Sequence, residues 1–213
     1  MLSHMILTRR AHGPDEASSA SCMIRNLRSV AGMAIACTAL ATAAAAQSSP
    51  EATAMTAEAL SAAPAGILAT ATVSDLEGNI LREGTSDYTC FPAPNGLAGP
   101  MCMDAEWRRW MAAWMGGKPF KAERVAIAYM LAGDGPDGGA SNIDPAAIQP
   151  ATDNEWVVEG PHMMVITPDP AAFAGLPTVI ETDGPYVMWT GTPYVHLMVP
   201  VAGRPEQRSV PTN

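Results

Sequence analysis

Between Asp104 and Gly117 the chain repeats tryptophan and methionine at a spacing that leaves it little choice of structure. Trp107, Trp110, Met111, Trp114 and Met115 fall at 0, +3, +4, +7 and +8, which is one face of an α-helix. Asp104 stands at the N-cap, Glu106 falls in the first turn, and Gly116-Gly117 follows the last periodic residue. Three indoles on one stripe are too much apolar surface to leave in water, so this helix must lie on another layer. The stripe reads as the helix's core face; stacking on a ligand is the rival reading.

The layer it covers is β-structure. Residues 125–131, 155–159, 162–167, 186–190 and 194–199 are short runs, β-branched or aromatic, bounded by Pro and Gly. Residues 67–73 read as a further strand. Asp75-Leu76-Glu77-Gly78-Asn79 supplies turn chemistry, and 80–82 can return as its hairpin partner. Gly191-Thr192-Pro193 turns one late strand into the next. The β-α-β alternation of a parallel sheet is missing. The expected fold is therefore α+β, a mostly antiparallel sheet packed against one amphipathic helix.

The N-terminal part reads as an address. Met23-Ile24-Arg25-Asn26-Leu27-Arg28 is basic, residues 29–42 are uncharged and mostly apolar, and Ala43 to Ala46 are small. That is the layout of a secretory signal peptide over 23–46, with cleavage near Ala46 and export to the periplasm or beyond. Its apolar stretch is short for a membrane span, and no later segment is apolar enough. Cys37, the one candidate for lipid attachment, follows Ala34-Ile35-Ala36 and fits that pattern poorly. Residues 1–22 read as an upstream mis-start, 47–65 as a flexible leader with a short helix over 56–62, 66–201 as one domain, and 202–213 as a polar tail. The formal charge of −9 argues against nucleic acid as a partner, since gripping phosphates needs a basic face.

Cys90 and Cys102 are the cysteines that remain after the signal segment. In an exported domain two cysteines tend to pair. They enclose Pro92, Pro94, Gly96, Gly99 and Pro100, a stretch with little structure of its own. A disulfide closing such a loop contributes roughly 3 kcal/mol in the chain-entropy model. A thiolate metal site beside Met101 and Met103 is the rival. Residues 132–155 are rich in Gly, Asp, Pro and Asn and read as a solvated loop or lid. Asp134, Asp137, Asn142 and Asp144 could offer oxygens to calcium, but their spacing is not that of an EF-hand.

Both histidines beyond the signal segment sit in the same pattern. His162-Met163-Met164-Val165 and His196-Leu197-Met198-Val199 are each H-x-M-V. On a strand, residues two apart share a face, so His162 pairs with Met164 and His196 with Met198. If the two strands are neighbours in suitable register, two imidazoles and two thioethers converge. Thioether and imidazole together favour copper, especially Cu(I). Met188 and the pair Met101 and Met103 could extend the set. Zinc fits less well, because no Cys or carboxylate completes a tetrahedron with the histidines. The rival is an apolar core in which Met fills gaps and each His is simply hydrogen-bonded. A strand at 186–189 lying between the other two would stretch the site, because next-nearest strands are about 9–10 Å apart.

Tyr129 to Asp134, Ala140 to Pro145, Gly160 to Met164 and Gly191 to Met198 resemble segments of a group of uncharacterised exported bacterial proteins. The resemblance spans about 66–201. It implies a single exported domain and carries no activity, cofactor or site residue.

Three functions compete. A copper-binding domain would use His162, Met164, His196 and Met198. An enzyme would use His162 or His196 as general base, with Glu155, Glu159, Asp169 or Asp183 as partner, in a pocket beneath the 132–155 loop. No nucleophile elbow, H-E-x-x-H or phosphate loop is present to name a reaction. A non-catalytic interaction domain would expose an apolar patch around Trp156 or Trp189.

Overall fold

A computed structural model describes residues 49–94, 98–135, 137–180 and 183–206. The expected upstream stretch 1–22, the signal segment 23–46 and the last part of the tail, 207–213, lie outside the described residues. Helix α1 (Pro50–Ala59) starts on Ser49, whose Oγ accepts the Ala52 N–H at 3.1 Å, and Pro50 needs no donor there. A helical turn α2 (Ala65–Leu68) leads to β1 (Thr72–Ser74), β2 (Ile80–Arg82), β3 (Thr89–Phe91) and β4 (Met101–Met103). Then come α3 (Ala105–Met115), β5 (Ala126–Met130), β6 (Ala140–Ser141), β7 (Trp156–Val157) and β8 (His162–Ile166). After a 3-10 turn at Pro170–Phe173 the chain ends its regular structure with β9 (Tyr186–Met188) and β10 (His196–Pro200).

Eight strands form one sheet in the order β2-β1-β3-β4-β5-β8-β10-β9, and β6 pairs with β7 in a separate ribbon. The β1–β3 pair is parallel and the others are antiparallel. The fold is thus α+β, a large mixed sheet with few helices. The helical cover is shared, not the work of one helix: α1 lies against β1, β2 and β3, and α3 against β4 and β5.

Strand alternation sorts the two cores. Met101 and Met103 of β4 join Trp107, Trp110, Met130, Met164, Met188, Trp189 and Met198 in one cluster. Cys102 points to the other side and joins Cys90, Val73, Ala71, Ala59 and Ala62. Helix α3 opens on Asp104, whose Oδ1 accepts the Trp107 N–H at 2.9 Å. It ends at Gly116 and Gly117, the latter at φ +59°, the left-handed conformation that suits glycine. Trp107 and Trp110 of the stripe are buried, whereas Met115 is 77% exposed.

Four expectations change. Residues 65–68 curl into α2 because the Pro64 carbonyl accepts from Ile67 and Leu68, at 2.9 and 3.1 Å; a short apolar run suits helix or strand equally. The helix expected over 56–62 instead begins at Pro50, and Ala59, Ala62 and Ala63 at its end are buried. Small side chains let that backbone sit close on the sheet. The segment around Cys90 and Cys102 is a paired hairpin in which the two cysteines are direct partners at disulfide bonding distance. Finally, the 132–155 stretch is anchored. Ser141 and Asn142 are buried, Trp114 Nε1–H donates to Pro145 O at 2.8 Å, and Trp189 Nε1–H donates to Ser141 O at 2.6 Å.

Two features close the sheet. At the β9 rim, Val187 N–H donates to Pro177 O (2.8 Å) and Trp189 N–H to Asn142 O (2.9 Å). Beyond β10, Val201 N–H donates to Pro161 O (2.9 Å), which keeps the chain beside β8. A Cβ on Gly160 would run into the carbonyl of Gly203, so only glycine permits that approach.

Candidate metal and ligand pocket

The methionine-rich face of the sheet and the tryptophan stripe of α3 enclose a pocket of about 100 Å³. Strands β8 and β10 are immediate neighbours and β9 lies outside them. The feared interposition of 186–189 therefore does not occur. Met164 and Met198 are direct cross-strand partners. His162 faces Met130 of β5, and His196 faces Met188 of β9. All six line the pocket.

The four residues singled out in sequence do share a face, yet they do not meet at one point. His162 lies across from Pro200, four residues beyond His196. At about 3.3 Å per residue the two histidines stand roughly 13 Å apart along the strands. The methionines take the middle and the imidazoles the two ends. Each imidazole instead has two thioether neighbours: one two residues along its own strand, one directly across. These sets are His162 with Met164 and Met130, and His196 with Met198 and Met188.

The two rings are held alike. His162 Nδ1 lies 2.7 Å from Gly160 O, and His196 Nδ1 lies 2.9 Å from Tyr194 O. A carbonyl only accepts, so each Nδ1 carries a proton, and in the neutral ring the lone pair is on Nε2. Both residues are 2% exposed. Burial drives His196 down to about 4, against the opposing pull of Tyr194 O; the charge of His162 adds a little to the fall. Trp107, Trp110 and Trp189 surround its ring edge-on, with centroids 5.7, 5.3 and 5.1 Å away. Trp189 adopts φ +57°, a strained backbone for a bulky residue. Its two hydrogen bonds to the 141–142 segment hold it parallel to Trp110 at 5.6 Å.

The His162 end is polar. Asp134 and Glu159 line it. Asp134 Oδ2 accepts the Glu159 N–H at 2.8 Å. Burial raises the Asp134 carboxyl above the usual range; His162 and the N–H groups of Glu159 and Gly99 oppose this, while the Glu159 charge adds to it. Glu159 Oε1 accepts from Tyr186 O–H (2.9 Å) and Arg204 Nε–H (2.6 Å). Burial, then the Glu159 charge, push the Tyr186 hydroxyl well up, so it stays a donor.

Sequence reasoning missed Met130, because only the β5–β8 register brings it to His162. It also missed Arg204, which sits in polar sequence with no pattern. Glu159 and Asp134 were visible only as acidic residues of two different segments. Among the described residues, no three His, Cys, Asp or Glu side chains form a group able to hold an ion. Among the described residues neither histidine bonds a carboxylate, the partner that the general-base reading requires. Trp189 is buried, and Trp156 Nε1–H donates to Gly138 O at 3.2 Å. No protein-family model, curated protein or solved structure matches the chain.

Proposed function

We propose that this is an exported copper(I)-binding domain whose ligands are His162, Met164, His196 and Met198, with Met130 and Met188 completing two imidazole–dithioether sets. One observation carries the reading. Each imidazole has its Nδ1–H committed to a backbone carbonyl and two thioethers in adjoining sheet positions on the same face, one directly across and one two residues along its strand. A fixed Nδ1–H is how proteins orient metal-ligating histidines, leaving Nε2 for the ion. Thioether donors select the soft monovalent ion over zinc or divalent copper. A histidine kept neutral by burial does not need to shed a proton to bind.

The signal-like segment 23–46 supports export, and a disulfide at Cys90 and Cys102 suits an oxidising compartment. There, copper binding by thioethers avoids competition from reduced thiols. The test is a Cu(I) titration of the apo protein against a competing chelator. Wild type is expected to bind. Met164→Leu/Met198→Leu, which keeps the apolar volume, is expected to bind more than tenfold more weakly while unfolding normally. His162→Ala/His196→Ala is expected to lose binding. No binding by wild type at micromolar copper, or full binding by the methionine variant, overturns the reading.

A further inference from the structure

Glu159 is 1% exposed and lines the pocket, yet only one of its oxygens is used. Oε1 is turned to Tyr186 and Arg204. Oε2 is buried and has no hydrogen-bond partner among the described residues. An unpaired buried carboxylate oxygen is costly and rare, and it calls for a specific occupant. Trp107 and Trp110 also keep unpartnered indole N–H groups, but neighbouring rings at 4.8–5.7 Å give those donors weak aromatic acceptors. Glu159 Oε2 has no such relief.

Two residues that line the pocket with Glu159 can accept. The neutral His162 ring offers a lone pair at Nε2, since its Nδ1 donates to Gly160 O. The Asp134 carboxylate, fixed by the Glu159 N–H at 2.8 Å, borders the same end. Charge points the same way. Two acidic side chains, Glu159 and Asp134, stand here against one buried cation, Arg204, which also reaches the exposed Asp183 at 3.5 Å. Beyond this end the walls are thioethers and indoles, including Met101, Met130 and Met164.

We propose that the Glu159 end of the pocket binds a monocationic primary amine carried on a short apolar stem. The ammonium donates to Glu159 Oε2, to His162 Nε2 and towards Asp134, and the stem lies on the methionines. Its charge and its three donors match the unpartnered Glu159 oxygen and the two acceptors beside it. This rests on Glu159 and Asp134 and does not require copper; because both would use His162 Nε2, amine and Cu(I) are expected to exclude each other at this end.

The test uses the full chain with copper removed by chelator and three probes at equal ionic strength: n-propylammonium, tetramethylammonium and n-propanol. Binding is read from the shift in thermal midpoint and from NMR shifts of the His162 ring. n-Propylammonium is expected to raise the midpoint and move the ring signals. Tetramethylammonium has the charge without donors, and propanol the stem without the charge; both are expected to bind at least tenfold more weakly. Glu159→Gln and Asp134→Asn are each expected to weaken the amine at least tenfold. An equal response to all three probes, no response to the amine, or unchanged amine binding in a folded Glu159→Gln or Asp134→Asn overturns the proposal. If neither variant folds, the comparison of the three probes on wild type decides it.

Discussion

His196 is buried in the side of a tryptophan cluster, and that position fixes its charge. With a folded value of about 4 against roughly 6.5 in the unfolded chain, the unfolded state binds more protons between those limits. Stability is therefore full above about pH 6.5, falls as the pH drops towards 4, and levels off below that. The size is up to about 3 kcal/mol at about 1.4 kcal/mol per unit. Urea unfolding at pH 7.5 and 4.5 should show this loss in the copper-free wild type and its absence in His196→Gln. Trp110 tests the same cluster by volume. It is 3% exposed and touches Trp107, Trp114, Trp189, Tyr194 and His196. Trp110→Ala should cost about 3–5 kcal/mol in chemical denaturation; a cost near zero would mean that the cluster is not core.

At the scale of elements, the β3–β4 hairpin separates two kinds of sulfur. Cys90 and Cys102 face α1, while Met101 and Met103 face α3. Replacing both cysteines by alanine should cost about 3 kcal/mol by loop entropy. It should leave Cu(I) stoichiometry unchanged, because the thioethers lie across the sheet; a matched titration and melt check both halves. This hairpin also shows what local pattern can and cannot say. The α3 stripe was legible because a helix announces itself through its own periodicity over several turns. β5, β8 and β10 were legible because each is a five-residue, largely apolar run, β-branched or aromatic and followed by Pro or Gly. The three-residue β3 and β4 have no room to alternate, and prolines surround them. The site was legible only as far as one strand reaches. H-x-M-V gave the face of His162 and Met164, but the partners Met130 and Met188 follow from register, which long-range packing sets.

At the scale of the whole molecule, the segment after β10 completes the pocket. Arg204 is largely buried, bonds Glu159 at 2.6 Å and lies over the Tyr186 ring at 5.3 Å. Polar sequence after a proline reads as tail, and nothing local reveals that Gly203 and Gly160 pack so closely. Removing the partner of a buried charge costs about 3–5 kcal/mol. Arg204→Ala should thus lower the unfolding free energy by that amount, with Arg204→Lys recovering only part of it, since lysine lacks the planar fork. The opposite border of the pocket has a different consequence. Along β9 the outward donors, Val187 and Trp189, are already committed to Pro177 and Asn142. An exposed strand edge is where one molecule templates the next. Here the incoming chain would find no free donor at either residue. The contacts that hold Trp189 against Trp110 thereby also occupy the donors a further strand would need to pair on this side.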